Sequence, residues 1–184
     1  NTYNALQQLI TSKDPKGVTT KYTYDKAGRN ISTWDSFTDK TTTNKYDGIG
    51  NVIETTDKAG NITKTTYDAK NQVIESENAL GQKTKTVYDG LGNVIKTINA
   101  AGSTTQTSYN AFNLVSKEVD ERGFVTEYVY NDRLLVDHVI DKNGNKVKRS
   151  YDEHLNIKEE TDQNGNVTAY AYDIYGNTTK KTDP

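Results

Sequence analysis

Tyrosine followed by aspartate or asparagine occurs nine times in phase along this chain, at Tyr3, Tyr24, Tyr46, Tyr67, Tyr88, Tyr109, Tyr130, Tyr151 and Tyr172, with a spacing of 21 residues broken once by a step of 22. A fixed period of this length marks a repeat architecture, in which each short unit is stabilised mainly by its neighbours. Each period contains two turn elements. The first begins one residue after Tyr, at residues 25–28, 47–50, 89–92 and 173–176, opening on Asp25, Asp47, Asp89 or Asp173 and closing on Gly28, Gly50, Gly92 or Gly176. The second begins eleven residues after Tyr, at 14–17, 57–60, 78–81, 99–102, 120–123, 141–144 and 162–165. An Asp or Asn side chain accepts hydrogen bonds from the backbone two residues on, and a fourth-position Gly takes positive φ without a Cβ penalty. The element therefore specifies a type I turn with a G1 bulge, which is hairpin chemistry.

Between the turns lie runs of six or seven residues such as NVIETT, NVIKTI, KTKTVY and NITKTTY, rich in β-branched and aromatic residues and free of Pro. Such runs read as strands, so each repeat is two short antiparallel strands. A three-residue second turn with a G1 bulge places the residue eight after Tyr opposite the residue eighteen after it. Glu54 then faces Lys64, Glu75 faces Lys85, Lys117 faces Glu127, and Glu77 faces Lys83. Cross-strand opposite charges of this kind contribute about 0.2–1 kcal/mol each and mark a solvated face. A register shifted by one loses the matches.

Because 21 is odd and side chains alternate faces, identical turns would send successive Tyr rings to opposite sides of the sheet. One turn must differ by a residue, and the longer or bulge-free form is assigned to the Tyr-Asp turn. The Tyr side chains then form a ladder on one face at intervals of about 9.6 Å, with the charge pairs on the other. Thr63, Thr65, Thr84, Thr86, Thr105 and Thr107 flank the ladder, with Tyr22, Tyr128 or Tyr170 in some repeats; Asn51, Ile53 and Thr55, or Asn93, Ile95 and Thr97, stand across from them. A face this polar does not suit the inside of a sandwich. It suits an all-β, repetitive antiparallel hairpin ribbon forming a curved or spiralling single-layer sheet over residues 1–184, with about eight tandem repeats.

Composition agrees. The chain is 32% hydrophobic with 13 Tyr, has a mean hydropathy of -0.89 and carries a net charge of -2. That apolar share is too low for a thick dry core, while the abundance of Tyr, Thr, Val and Ile separates the chain from disordered sequences. Absence of Cys and Met leaves no disulfide framework, thiol nucleophile or zinc knuckle. No apolar run is long enough to span a membrane, and interspersed Lys and Glu give no electrostatic footprint for nucleic acid.

The departures from the pattern carry their own expectations. Asn replaces Asp at Asn110 and Asn131; the turns opening on Asp68, Asn110, Asn131 and Asp152 close on Asn71, Asn113, Leu134 and Leu155 instead of Gly. Asn tolerates left-handed geometry and Leu does not, so the turns at Leu134 and Leu155 should take another form. The stretch from Ser36 to Lys45 lacks its Gly and holds the extra residue of the 22-residue step, which predicts an irregular connection at 36–45. The recurring aspartates each accompany a turn, so turn formation accounts for them better than a catalytic carboxylate pair. DKNGN from Asp141 to Asn145 and DQNGN from Asp162 to Asn166 have the look of calcium-loop beginnings but lack a distal bidentate Glu. His138 and His154 stand alone and read as surface or strand-pair residues. Trp34 beside Phe37 reads as a local packing cluster rather than a sugar platform. No catalytic residue, cofactor site or metal site is predicted, and the chain is expected not to be an enzyme.

The motif YDxxGN, in the forms YDGIGN, YDGLGN and YDIYGN, together with DKAG, DKNG and DQNG downstream, resembles the tyrosine-aspartate repeat of the Rhs family. That family includes bacterial Rhs polymorphic toxins, Gram-positive wall-associated proteins, the cocoon component of insecticidal toxin complexes and the teneurins. The resemblance covers essentially the whole chain. It implies a hairpin ribbon coiling into a hollow shell around a C-terminal cargo, often a toxin, and secretion or surface display in a bacterium. The chain then reads as a section of a larger protein whose partners are neighbouring repeats and that cargo. An adhesive module that stacks Tyr and Thr on cell-wall or host glycans is the alternative. Unpaired ribbon edges also predict edge-strand self-association.

Overall fold

The computed structural model describes residues 1–184, which form 18 β-strands and no helix. Two compact units are present, residues 1–93 with 98–102 and residues 94–97 with 103–184. The first contains β1 (Thr2–Tyr3), β2 (Leu9–Lys13), β3 (Thr19–Tyr24), β4 (Asn30–Asp35), β5 (Lys40–Tyr46), β6 (Val52–Thr56), β7 (Ile62–Tyr67), β8 (Val73–Glu77) and β9 (Lys83–Tyr88). β10 (Val94–Ile98) falls across the division. The second continues with β11 (Thr104–Tyr109), β12 (Val115–Val119), β13 (Val125–Tyr130), β14 (Val136–Ile140), β15 (Lys146–Tyr151), β16 (Ile157–Thr161), β17 (Val167–Tyr172) and β18 (Thr178–Thr182). In each unit consecutive strands pair antiparallel and touch only their sequence neighbours, so each is a single-layer meander. No side chain is buried. Stability therefore comes from the backbone ladder and from half-covered side chains rather than from a core.

The expected register is present: Glu54 faces Lys64, Glu75 faces Lys85, Glu77 faces Lys83 and Lys117 faces Glu127. The way the odd period is absorbed differs from expectation. Both turns have one form, in which the first residue's N–H reaches the fifth residue's carbonyl and the fourth residue's N–H reaches the first residue's carbonyl, as in Asp14 with Val18 and Gly17, and in Asp25 with Arg29 and Gly28. Neither is longer or bulge-free. The extra residue sits in a β-bulge just after the Tyr-Asp turn. In β7 and β8, Tyr67 faces Val73 while Thr66 faces Glu75, leaving Ile74 as the added residue. The same shift recurs at Tyr3, Tyr24, Tyr46, Tyr109, Tyr130, Tyr151 and Tyr172. Val73 shares the face of its partner Tyr67, and alternation from Glu75 places Ile74 there too, so the bulge turns two successive apolar residues to the Tyr side. The repeated dipeptides at Val52–Ile53, Val73–Ile74 and Val94–Ile95 occupy these positions.

The turns closing on Leu134 and Leu155 also keep the common form, with φ of 62° and 68°. The reason is local. Asn131 Oδ1 accepts from the backbone N–H of Arg133 and Leu135, and Asp152 Oδ1 from those of His154 and Asn156, so four hydrogen bonds fix each turn and Leu takes the left-handed strain. The irregular connection is narrower than 36–45. Residues 36–39 form a loop, and β5 begins at Lys40, opposite Asp35.

Candidate functional site

The Tyr residues act through their hydroxyls. The phenol of each Tyr in the 21-residue phase, from Tyr24 onward, donates to a backbone carbonyl in the preceding repeat: Tyr24 to Leu9 (2.9 Å), Tyr46 to Asn30 (2.7 Å), Tyr67 to Val52 (3.2 Å) and Tyr88 to Val73 (2.9 Å). In the second unit Tyr109 reaches Val94 (3.2 Å), Tyr130 reaches Val115 (2.6 Å), Tyr151 reaches Val136 (2.8 Å) and Tyr172 reaches Ile157 (2.8 Å). Each accepting carbonyl belongs to the residue opposite the previous Tyr, beside the bulge. A bulge interrupts the ladder and leaves a backbone group short of a partner. The next repeat's phenol supplies a donor there. Since every ring makes the same contact, the rings of each unit stand on one face. Tyr3, on β1, is 55% exposed.

The turn residues are spent on the backbone. Asp89 Oδ1 accepts from the N–H groups of Leu91 and Asn93, and Oδ2 from the Asn93 amide; Asp47 with Asn51, Asp152 with Asn156 and Asp173 with Asn177 repeat the arrangement. At Asp25 the fifth residue is Arg29, which bonds and ion-pairs with it; Asp68 holds Lys70 and Gln72 through their N–H groups. The Asn amide is the main cause that holds Asp57, Asp89, Asp162 and Asp173 below the usual carboxylate range. Asp141 and Asp162 each accept the same three hydrogen bonds, from the side chain of Asn145 or Asn166 and from the turn backbone. No cluster of three or more metal-ligating side chains is present.

In the first unit the residue five after Tyr, unassigned by the sequence reading beyond the final Asn of YDxxGN, ties turn to turn. Gln8 donates to the Gly28 carbonyl (3.0 Å), Arg29 to the Asp47 carbonyl (2.8 Å), Asn51 to the Asn71 side chain (2.8 Å) and Gln72 to the Gly92 carbonyl (3.4 Å). The signal was the recurrence of polar side chains at this position, hidden by their differing identities and broken by Leu114 and Leu135 in the second unit.

Two aromatic rings carry a lysine over one face, while Phe112 and Tyr175 are exposed. Lys21 lies 4.8 Å from the Trp34 ring and Lys142 lies 3.7 Å from that of Phe124. Trp34 also donates to Asp39, while Phe37 is 82% exposed, so the two aromatic residues do not pack together. On the Tyr face of the second unit Tyr128 donates to Glu118 (2.6 Å), which, with desolvation, pushes its pKa up to about 12. Tyr170 and Arg149 both bind Glu160. A cleft of about 650 Å³ nearby is lined by Thr105, Thr107, Glu118, Arg122, Phe124 and Lys142 among others. His138 bonds its neighbour Asp137, and His154 stands at a turn tip; neither meets another histidine. The motif residues therefore come together as a repeated clasp rather than as a reaction centre.

Residues 3–33, 67–105, 88–125 and 151–184 match the RHS Repeat family model. The chain belongs to the RHS repeat family. No curated protein matches its sequence. Its fold recurs in the crystal structure of TcdB2-TccC3-Cdc42, with a TM-score of 0.71 at 12% identity over 97% of this chain and 11% of that one. It recurs likewise in TcdB2-TccC3 without the hypervariable C-terminal region (TM-score 0.71, 12% identity, 98% and 11% covered) and in a Photorhabdus luminescens Tc holotoxin pore (0.58, 13%, 97% and 12%). The RHS-repeat chain thus spans 11–12% of the length of these solved chains. At such identity the likeness is one of fold.

Proposed function

We propose that this RHS-repeat chain is a non-enzymatic wall segment of a secreted or cell-surface bacterial β-shell that encloses a C-terminal toxin or effector and helps deliver it. The observation that carries the reading is the phenol-to-carbonyl clasp repeated from Tyr24 to Tyr172, which couples every repeat to the one before it. A wall has to be continuous and uniform, and this device supplies both at one residue per repeat. Its partners are then neighbouring repeats and the enclosed cargo. Likeness to Tc toxin assemblies supports the same reading at the level of fold.

The test is protease protection in the full-length protein that carries this segment. The sequence following the repeats should resist added protease in the native protein and be digested once urea has unfolded the wall. Digestion of that sequence at the same rate with and without urea would refute encapsulation. The adhesive alternative predicts saturable binding on a glycan array, where a wall segment should retain no sugar.

A further inference from the structure

The two faces of the ribbon differ in chemistry. In the first unit the face away from Tyr carries an alternating ion-pair row. Lys45 binds Glu54 at 2.7 Å, Lys64 lies 3.7 Å from Glu77, and Lys83 reaches both Glu75 (2.6 Å) and Glu77 (3.5 Å). The Tyr face of β6–β9 is uncharged instead: Thr55 faces Thr63, Thr65 faces Ser76, and Ser76 faces Thr84. In the second unit charges do appear on the Tyr face: Glu118 is held by Tyr128, Glu160 by Tyr170 and Arg149, and the bulges add Asp137, bonded to His138, and the exposed Lys158.

We infer that the Tyr face is the inner, cargo-facing side of the wall and the ion-pair face the outer side. The inference rests on the shell reading above and adds an orientation to it. An enclosed, non-native chain sticks to apolar patches and to unpaired charges; on the Tyr face of β6–β9 the apolar residues Val52, Ile53, Val73 and Ile74 are half-buried, and the hydroxyls of Thr and Ser stand beside them. Bulk water, by contrast, favours a face of interspersed Lys and Glu, which keeps a large assembly soluble. Single apolar residues on that face, such as Val87 and Val129, are ordinary for a surface. Geometry points the same way. The phenols draw consecutive repeats together on the Tyr side, whereas the long Lys and Glu side chains span the other side. A wall bending around a cavity crowds its inner face and spreads its outer one.

Adjacent residues on opposite faces provide the test, because the chain contains no Cys and Thr63, Lys64, Thr84 and Lys85 are all exposed. In the full-length protein, freed of cysteines elsewhere, Lys64→Cys and Lys85→Cys should react fully with a maleimide bearing a long polyethylene glycol chain. Thr63→Cys and Thr84→Cys should stay unmodified until urea opens the protein. The reverse pattern, or protection at all four positions, would overturn the orientation while leaving a closed wall in place. Full reaction at all four would mean that no closed wall exists, and would overturn the shell reading itself.

Discussion

Residues 47–50 form one turn with two glycines in unlike conformations. Gly50 has a φ of 106°, whereas Gly48 lies outside the positive-φ region; a Cβ added to either meets nothing within 4 Å. Space is therefore equal at the two sites, and only backbone conformation separates them. At Gly48, alanine reduces the freedom of the unfolded chain and should stabilise the protein by about 0.4–1 kcal/mol. At Gly50 the same gain is outweighed by the left-handed penalty of about 1–2 kcal/mol, toward its upper end because 106° lies beyond the left-handed helical well. Gly50→Ala should then be destabilised by roughly 1 kcal/mol, and the pair should differ by about 1–2 kcal/mol. Urea unfolding followed by circular dichroism on both variants reads the difference, and thermal unfolding should separate them by about 2–4 °C per kcal/mol for a chain of this size. The sign is not trivial, since Leu134 and Leu155 occupy the equivalent position at φ of 62° and 68°. If Gly50→Ala matched or exceeded Gly48→Ala in stability, the account of how turn conformation limits the sequence would be wrong.

Four further outcomes follow from the same geometry. Tyr130→Phe removes the 2.6 Å bond to the Val115 carbonyl and should cost about 0.5–1.5 kcal/mol in urea unfolding; unchanged stability would show that the phenol is incidental. The turn carboxylates of Asp57, Asp89, Asp162 and Asp173 have lowered folded pKa values, chiefly through the neighbouring Asn amides. Their contribution is thus complete above the unfolded carboxylate range and is lost as pH falls through the folded values, so acid should melt the ribbon below that range. NMR titration of Asn61→Ala should find Asp57 closer to its ordinary value, and no movement would contradict the assignment. Tyr128, pushed up to about 12 by its bond to Glu118 and by desolvation, stabilises the fold below the ordinary phenol range and loses that contribution as pH rises through about 12; in a phenolate absorbance titration Glu118→Gln should bring it down, and an unchanged curve would exclude the pair. β18, all five residues of which are exposed, pairs within its unit only with β17, so sedimentation at rising concentration should reveal self-association of the isolated chain, and monomer throughout would count against it.

Much of this fold was legible because the turn and strand signals are local and repeat. Asp at the start of a turn, Gly at its close and the β-branched runs between them specify hairpins without reference to anything distant, and the charge pairs Glu54–Lys64 and Glu75–Lys85 then fixed register. Parity showed that one residue per period had to be absorbed, but alternation cannot say whether a turn or a strand absorbs it. The signal lay in the Val-Ile dipeptides, which break the apolar-polar alternation where the bulge turns both residues to one face. Leu134 and Leu155 misled for a different reason: single-residue preference was weighed without the Asx hydrogen bonds that hold the turn. The clasp itself was out of reach, since a phenol bonding a carbonyl fifteen residues earlier leaves no trace in side-chain pattern when the acceptor is backbone.

The period, the bulge and the tyrosine are best understood as one device. An odd period requires one change of face per repeat, and the bulge makes that change while interrupting the ladder. The next repeat's phenol reaches the carbonyl beside the interruption, so the cost of the bulge becomes the coupling between repeats. The 22-residue step from Tyr24 to Tyr46 obeys the same constraint. Its added residue is taken up in the 36–39 loop, where Asp39 adopts a φ of 52°, and Ser32 faces Thr43 with both still on the side away from Tyr. Tyr46 accordingly keeps its bond to the Asn30 carbonyl at 2.7 Å. Length is free to vary at the second turn, which lies away from the bulge, and not at the first, where a one-residue change would carry the next phenol to the wrong face and break its bond to the repeat before it.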